Sequence, residues 1–169
     1  MWFSLHLYNT CLASFFLNMH KHSFQKRFRL LLADDDADDR ELFSEAISEI
    51  DPSIILTTVE DGEKLMKQLK EVTSVPDIIF LDLNMPRKNG KECLLEIQHY
   101  ENLQKIPIII YSTSISNKDV HETWSKGAMG FMRKPDSYSK LKEFVRKIIY
   151  LDFSPLELNS EKKILINLS

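Results

Sequence analysis

Cysteine is nearly absent from this chain. Cys11 and Cys93 are the two among 169 residues. They lie far apart and match no metal-ligand or redox spacing, which leaves two free thiols in a reducing compartment. Glycine and proline are scarce as well, at four and six residues. Gly62, Gly90, Gly127 and Gly130, like Pro52, Pro76, Pro86, Pro107, Pro135 and Pro155, fall between periodic segments and interrupt none. There is no internal repeat, low-complexity tract or second domain. Acidic residues are missing before Asp34, whereas Lys21, Lys26, Arg27 and Arg29 fall in that stretch. The net charge of -3 argues for neither a nucleic-acid surface nor an acidic tail.

Long hydrophobic runs are lacking too. Met1 to Leu17 leans apolar, but Ser4, His6, Asn9 and Thr10 break it. A membrane span needs ~20 mostly apolar residues. No positive charge precedes the apolar part, as a secretory signal would require. Residues 1–27 are therefore expected to be a disordered or spurious N-terminal extension, and the protein to be cytoplasmic. Residues 28–150 form the expected domain and 151–169 a C-terminal tail, in which Ile164-Leu165-Ile166 is apolar enough to dock.

What the chain does have is alternation. Residues 28–34 read as a strand, and 37–50 as a helix with Leu42, Phe43, Ala46, Ile47 and Ile50 on one stripe. Asp36 is a natural N-cap for that helix. Strand 54–59 is followed by a helix through Leu65, Met66 and Leu69. Strand 77–81 is followed by a helix through Cys93, Leu94, Ile97 and Tyr100. Strand 108–111, a helix around 120–126, strand 129–132 and a helix through Leu141, Phe144, Val145, Ile148 and Ile149 complete the pattern. Five strands alternating with five helices predict an α/β fold, a doubly wound, five-stranded parallel sheet of the flavodoxin type in three layers. Trp124 is equally compatible with an exposed or an inward position. His99 and His121 lack metal-ligand company and read as surface residues.

The apolar runs end in chemistry. The first strand closes in Asp34, Asp35 and Asp36, the third in Asp82, the fourth in Ser112-Thr113 and the fifth in Lys134-Pro135. In an open parallel sheet these ends share one edge, so the groups converge. At ~4 Å and an effective dielectric of ~20, each like-charge pair would cost about 4 kcal/mol, which a divalent cation or a pKa shift must relieve. Carboxylates, a hydroxyl and a lysine together suit phosphoryl transfer to a carboxylate. Asp82, alone on its strand end, is the nucleophile in this reading. Asp34 and Asp35 hold Mg²⁺ (or Mn²⁺), Ser112 donates to a phosphoryl oxygen and Lys134 pairs with another.

Ala-Asp-Asp at 33–35, Leu-Asp-Leu-Asn-Met-Pro at 81–86, Ile-Tyr-Ser-Thr-Ser at 110–114 and Gly-Phe-Met-Arg-Lys-Pro at 130–135 stand in the order and spacing of a known family. Over about 28–150 the chain resembles two-component response-regulator receiver domains, of the stand-alone type. The resemblance implies that Asp82 takes its phosphoryl group from a sensor kinase or phosphotransfer histidine. It also implies the backbone carbonyl of Asn84 as a further metal ligand, Ser112 and Phe131 as switch residues, and a cis bond between Lys134 and Pro135. Phosphorylation would draw Ser112 inward and let Phe131 turn in behind it, reshaping a protein-binding surface. No enzyme activity is expected beyond self-phosphoryl transfer and slow autodephosphorylation. The expected partners are the kinase and an unnamed downstream protein, not nucleic acid or membrane, with the chain a monomer or a phosphorylation-dependent homodimer.

Three rivals are weaker or differ in kind. A haloacid-dehalogenase-type phosphatase needs an acid where Asn84 stands. A dinucleotide enzyme needs a Gly-rich first turn, where Asp34–Asp36 would repel a pyrophosphate. A phosphorylation-independent receiver acting as a fixed binding module remains the alternative, although none of its key groups is lost. The basic residues Lys140, Lys142, Arg146 and Lys147 of the last helix read first as a solvated face.

Overall fold

Residues 27–71, 75–113, 116–150 and 164–166 are described by the computed structural model. The N-terminal extension lies outside them apart from Arg27, as do Ser114 and most of the C-terminal tail. The strands are β1 (Arg29–Ala33), β2 (Ile55–Val59), β3 (Ile78–Leu81), β4 (Ile108–Ser112), β5 (Gly130–Arg133) and β6 (Ile164–Ile166). The helices are α1 (Ala37–Ile50), α2 (Gly62–Glu71), α3 (Gly90–Ile97), α4 (Asn117–Ser125) and α5 (Tyr138–Ile149). The five expected strands lie parallel in one sheet, ordered β2-β1-β3-β4-β5, and β6 adds a short sixth beside β5.

The central strands are apolar on both faces because both are covered. Alternate residues feed two cores. Leu31, Ile79, Leu81, Ile108, Ile110 and Phe131 meet α2, α3 and α4 on one side. Leu30, Leu32, Ile78, Phe80, Ile109 and Met132 meet α1 and α5 on the other, where Phe43, Phe80 and Tyr111 pack edge to face. The buried stripe of α1 is Phe43, Ala46 and Ile47; Leu42, one step further round the helix, is 43% exposed, contrary to expectation. Tyr100 falls past the end of α3 and lies at the surface, where the Lys70 ammonium sits over its ring. Trp124 packs against the core from α4, and His99 and His121 are exposed. Cys93 is a buried free thiol, pushed by burial to about 12 and so inert at neutral pH. No helix among the described residues is long and apolar enough to cross a membrane.

The strand order reverses between β1 and β3, where β2 and β4 depart to opposite sides. A crevice opens at the carboxyl ends of strands flanking such a point. In the register of β1 with β3, Ala33 faces Leu81. Asp34 and Asp82 are the next residues after the two strands, so both step off the sheet at that crevice.

Candidate functional site

Each loop at this edge is held by its own local chemistry. Asp36 caps α1, its side chain accepting from the Asp38 and Asp39 amides at 2.9 and 3.3 Å, as expected from its place in the sequence. The Asp34 amide donates to the Val59 carbonyl at 3.1 Å, and the Arg40 guanidinium reaches back to the Asp34 carbonyl at 2.8 Å. The Asp82 amide donates to the Ala33 carbonyl at 2.9 Å, continuing the ladder one residue beyond the strands. Past Asp82 the chain turns sharply into α3, which opens with an Asn89–Glu92 capping box. Gly90 makes the turn feasible, since a Cβ there would collide with the carbonyl oxygen of Asp82. Arg87 in the same loop has a φ of 63°, unusual for a side-chain-bearing residue, and pairs with the fully buried Asp61 at the start of α2.

Four of the five side chains expected to converge do so, and the fifth, Ser112, ends the neighbouring strand. Asp34, Asp35 and Asp82 each offer a carboxylate oxygen, all within 4.8 Å of one another. Asp34 is fully buried, Asp82 nearly so, and Asp35 is exposed, giving the cluster an open side. The Lys134 Nζ lies 2.7 Å from Asp34 Oδ2 and 3.1 Å from Asp82 Oδ2. Ser112 ends β4 beside it, the Lys134 amide donating to the Ser112 carbonyl at 2.9 Å. The Ser112 Oγ is buried and has no hydrogen-bond partner among the described residues. An unsatisfied buried hydroxyl costs about 1–3 kcal/mol, so its retention points to a ligand that uses it. Asn84 is exposed and donates its amide to Asp82 Oδ1 at 3.2 Å, which places it on the turn that wraps the carboxylate.

Burial raises Asp34 from 3.8 to about 6, against the opposing pull of the Lys134 ammonium and with help from the neighbouring Asp82 charge. Burial works to lower the Lys134 ammonium, but its bonds to Asp34 and Asp39 hold it above its ordinary range. Ionised Asp34 is thus held at a cost that a divalent cation would relieve, and the donor set, oxygen throughout, suits Mg²⁺ or Mn²⁺.

Two expectations fail and one contact was missed. Phe131 is already fully buried, in the core cluster that also holds Ile110, Val120 and Ala128, so an inward turn from the surface has nowhere to start. A phenylalanine has no hydroxyl to keep in water, and its burial is favourable outright. The Lys134–Pro135 bond is trans, no cis peptide being present among the described residues, in keeping with the intrinsic preference of such bonds. The missed residue is Asp39, in the first turn of α1, whose Oδ2 lies 2.8 Å from the Lys134 Nζ. Nothing in the sequence singles it out, since an acidic residue three positions after an N-cap is ordinary in a first turn. The basic residues of α5 are largely paired: Lys140 with Asp136, Lys142 with Glu49 and Lys147 with Glu143.

Comparison with known proteins agrees with this geometry. The family described as response regulator receiver domain matches residues 30–146. Response regulator Rcp1 of Synechocystis sp. is 31% identical over 126 residues, spanning 70% of this chain and 84% of Rcp1. A probable methanogenesis regulatory protein, FilR2 of Methanothrix harundinacea, is 35% identical over 75 residues, 44% of this chain but only 48% of FilR2. Among solved structures, the phosphorylated cyanobacterial phytochrome response regulator RcpA superposes with a TM-score of 0.68 at 31% identity, covering 72% of this chain and 91% of RcpA. The Mn²⁺-bound form of Rcp1 superposes with a TM-score of 0.65 at 28% identity, covering 76% and 96%.

Proposed function

The chain belongs to the response regulator receiver family of two-component signal transduction, and on that premise we propose that Asp82 is its phosphoacceptor. An Asp82 carboxylate oxygen attacks the phosphorus of a phosphohistidine on a sensor kinase or phosphotransfer protein. The P–O bond forms as the P–N bond breaks, and the histidine nitrogen leaves with the electron pair. Asp34, Asp35 and Asp82, with the Asn84 carbonyl, would hold Mg²⁺ or Mn²⁺, which when bound offsets the repulsion between carboxylate and phosphoryl charge. Lys134 and Ser112 take two phosphoryl oxygens: the ammonium stands 3.1 Å from Asp82, and the hydroxyl has a free proton to give. Slow attack by water on the acyl phosphate resets the site. The chain is a signalling protein and not a turnover enzyme.

The observation that carries the reading is the buried, unpartnered Ser112 hydroxyl at the same strand edge as a lysine and three carboxylates. The phosphorylated state of RcpA and the Mn²⁺ in Rcp1 support it by likeness. The output is a change at the β4–α4 connection, as Ser112 is drawn to the phosphoryl group, read by a downstream protein or by a second copy of the chain. Phe131, already inside, acts in this reading as the packing that transmits the shift to α4.

Incubation with acetyl phosphate and Mg²⁺ tests it. The intact mass should rise by one phosphoryl group, and Asp82→Asn should abolish the gain. A gain undiminished in that variant would move the site elsewhere. No Mg²⁺-dependent gain from acetyl phosphate or from a histidine-phosphorylated donor would leave the fixed binding module.

A further inference from the structure

Lys134 carries three N–H donors; three carboxylates stand within ion-pair distance of its ammonium, and two of them, Asp39 and Asp82, accept hydrogen bonds from it. Asp34 Oδ2 lies at 2.7 Å, Asp39 Oδ2 at 2.8 Å and Asp82 Oδ2 at 3.1 Å. The longest of the contacts is the one to the proposed acceptor. Asp34 and Asp82 have a second use, as members of the oxygen cluster that fits a cation. Asp39 is outside that cluster, and its one described side-chain partner is the lysine. The face of the Tyr111 ring closes off a further direction, 5.2 Å from the ammonium. A phosphoryl oxygen arriving on Asp82 therefore finds Lys134 already bonded to Asp39.

From this geometry we infer that Asp39 is a positioning residue that tethers Lys134 and competes with the phosphoryl group for it, setting how long the phosphorylated state lasts. The inference rests on the reading of Asp82 as phosphoacceptor. Cation binding at Asp34 and Asp82 loosens two of the lysine's contacts and leaves the third intact, so Asp39 becomes its main anchor before transfer. Afterwards the doubly charged phosphoryl group and the Asp39 carboxylate share one ammonium. The bond that Lys134 keeps to Asp39 is one it does not give to the phosphoryl oxygen, and the acyl phosphate is correspondingly easier to hydrolyse. The side chain of Asp39 is about a third exposed, 32%, so it can swing away without repacking the core. Asp36 caps the helix through the backbone amides of Asp38 and Asp39, which a side-chain change at Asp39 keeps.

The test compares wild type, Asp39→Asn and Asp39→Glu, each phosphorylated with acetyl phosphate in saturating Mg²⁺ and then stripped of donor. Decay of the adduct is followed by intact mass. Losing one charge-assisted bond from the competitor should lengthen the half-life of Asp39→Asn at least about threefold. Asp39→Glu, which keeps a carboxylate within reach, should stay within about threefold of wild type. A half-life for Asp39→Asn within threefold of wild type, or a shorter one, overturns the inference, as does an equal lengthening in Asp39→Glu. A loss of tenfold or more in Mg²⁺ affinity in Asp39→Asn also overturns it, because Asp39 would then be a metal ligand. If wild type gains no phosphoryl group at all, the phosphoacceptor reading itself has failed, a result distinct from each of these.

Discussion

Replacing Asp34 with Asn should stabilise the metal-free protein while destroying its response to Mg²⁺. Asp34 is fully buried, and burial raises it from 3.8 to about 6. That gap is worth about 3 kcal/mol, at ~1.4 kcal/mol per tenfold. The sign follows from the direction. A carboxyl with a raised folded-state value costs nothing while protonated in both states, below about pH 3. As pH climbs through 4 to 6 the unfolded chain ionises first, and stability falls until the folded group has ionised too. The cost is then about 1.5 kcal/mol at pH 5 and about 3 kcal/mol at pH 8. Asn removes it. In return, Asn cannot accept at both positions Asp34 now serves, the Asp36 amide at 3.1 Å and the Lys134 ammonium at 2.7 Å. One lost acceptor costs about 1 kcal/mol. The net expectation is a gain of about 2 kcal/mol at pH 8, shrinking to about 0.5 kcal/mol at pH 5. Urea unfolding in a chelator at the two pH values measures it. Mg²⁺ at ~100 times its dissociation constant should add about 2.7 kcal/mol to the wild type and nothing to the variant. An Asp34→Asn variant less stable than wild type at pH 8, or a wild type indifferent to Mg²⁺, would refute the claim that the carboxylates are held together for a cation.

Other consequences follow from the loops that shape the crevice. Arg87→Ala should lower the urea midpoint, because it leaves the buried Asp61 without its cation; an unchanged midpoint would mean that the half-exposed Arg87 contributes nothing to stability. Arg87→Gly should cost about 1 kcal/mol less than Ala, since glycine accepts the φ of 63° without strain; equal costs would mean the backbone there is relaxed. Gly90→Ala should lower stability by about 2 kcal/mol or more and slow phosphorylation, as the new methyl pushes on the Asp82 carbonyl; a variant with wild-type labelling kinetics would contradict that close approach.

Much of this was legible because strands buried on both faces announce themselves as unbroken apolar runs, and their last residues name the catalytic edge. Leu30 to Ala33 and Ile78 to Leu81 did so without ambiguity, and with the strand order they bring Asp34 and Asp82 together. What was not legible depended on side-chain reach. Nothing in the sequence separates Asp39 from Asp38 beside it; its part depends on a carboxylate that reaches Lys134 across 95 residues of chain. Arg87 and Asp61 are 26 residues apart and meet only because α2 and the β3–α3 loop are neighbours. Leu42 and Tyr100 follow the apolar period of their helices but stand beyond the strip that the sheet covers. The pairing of Ile164–Ile166 with β5 needed the edge of the sheet to be visible, since a three-residue apolar run has no period of its own.

The most direct measurement is chemical trapping of the acyl phosphate. Wild-type protein labelled in Mg²⁺ is reduced with borohydride, which converts a phosphorylated aspartate to homoserine, and its peptides are sequenced by mass. Homoserine at position 82, absent when the metal is chelated, is the result predicted. Homoserine at another carboxylate, or an unmodified Asp82 after both acetyl phosphate and a histidine-phosphorylated donor, would contradict the account at its centre.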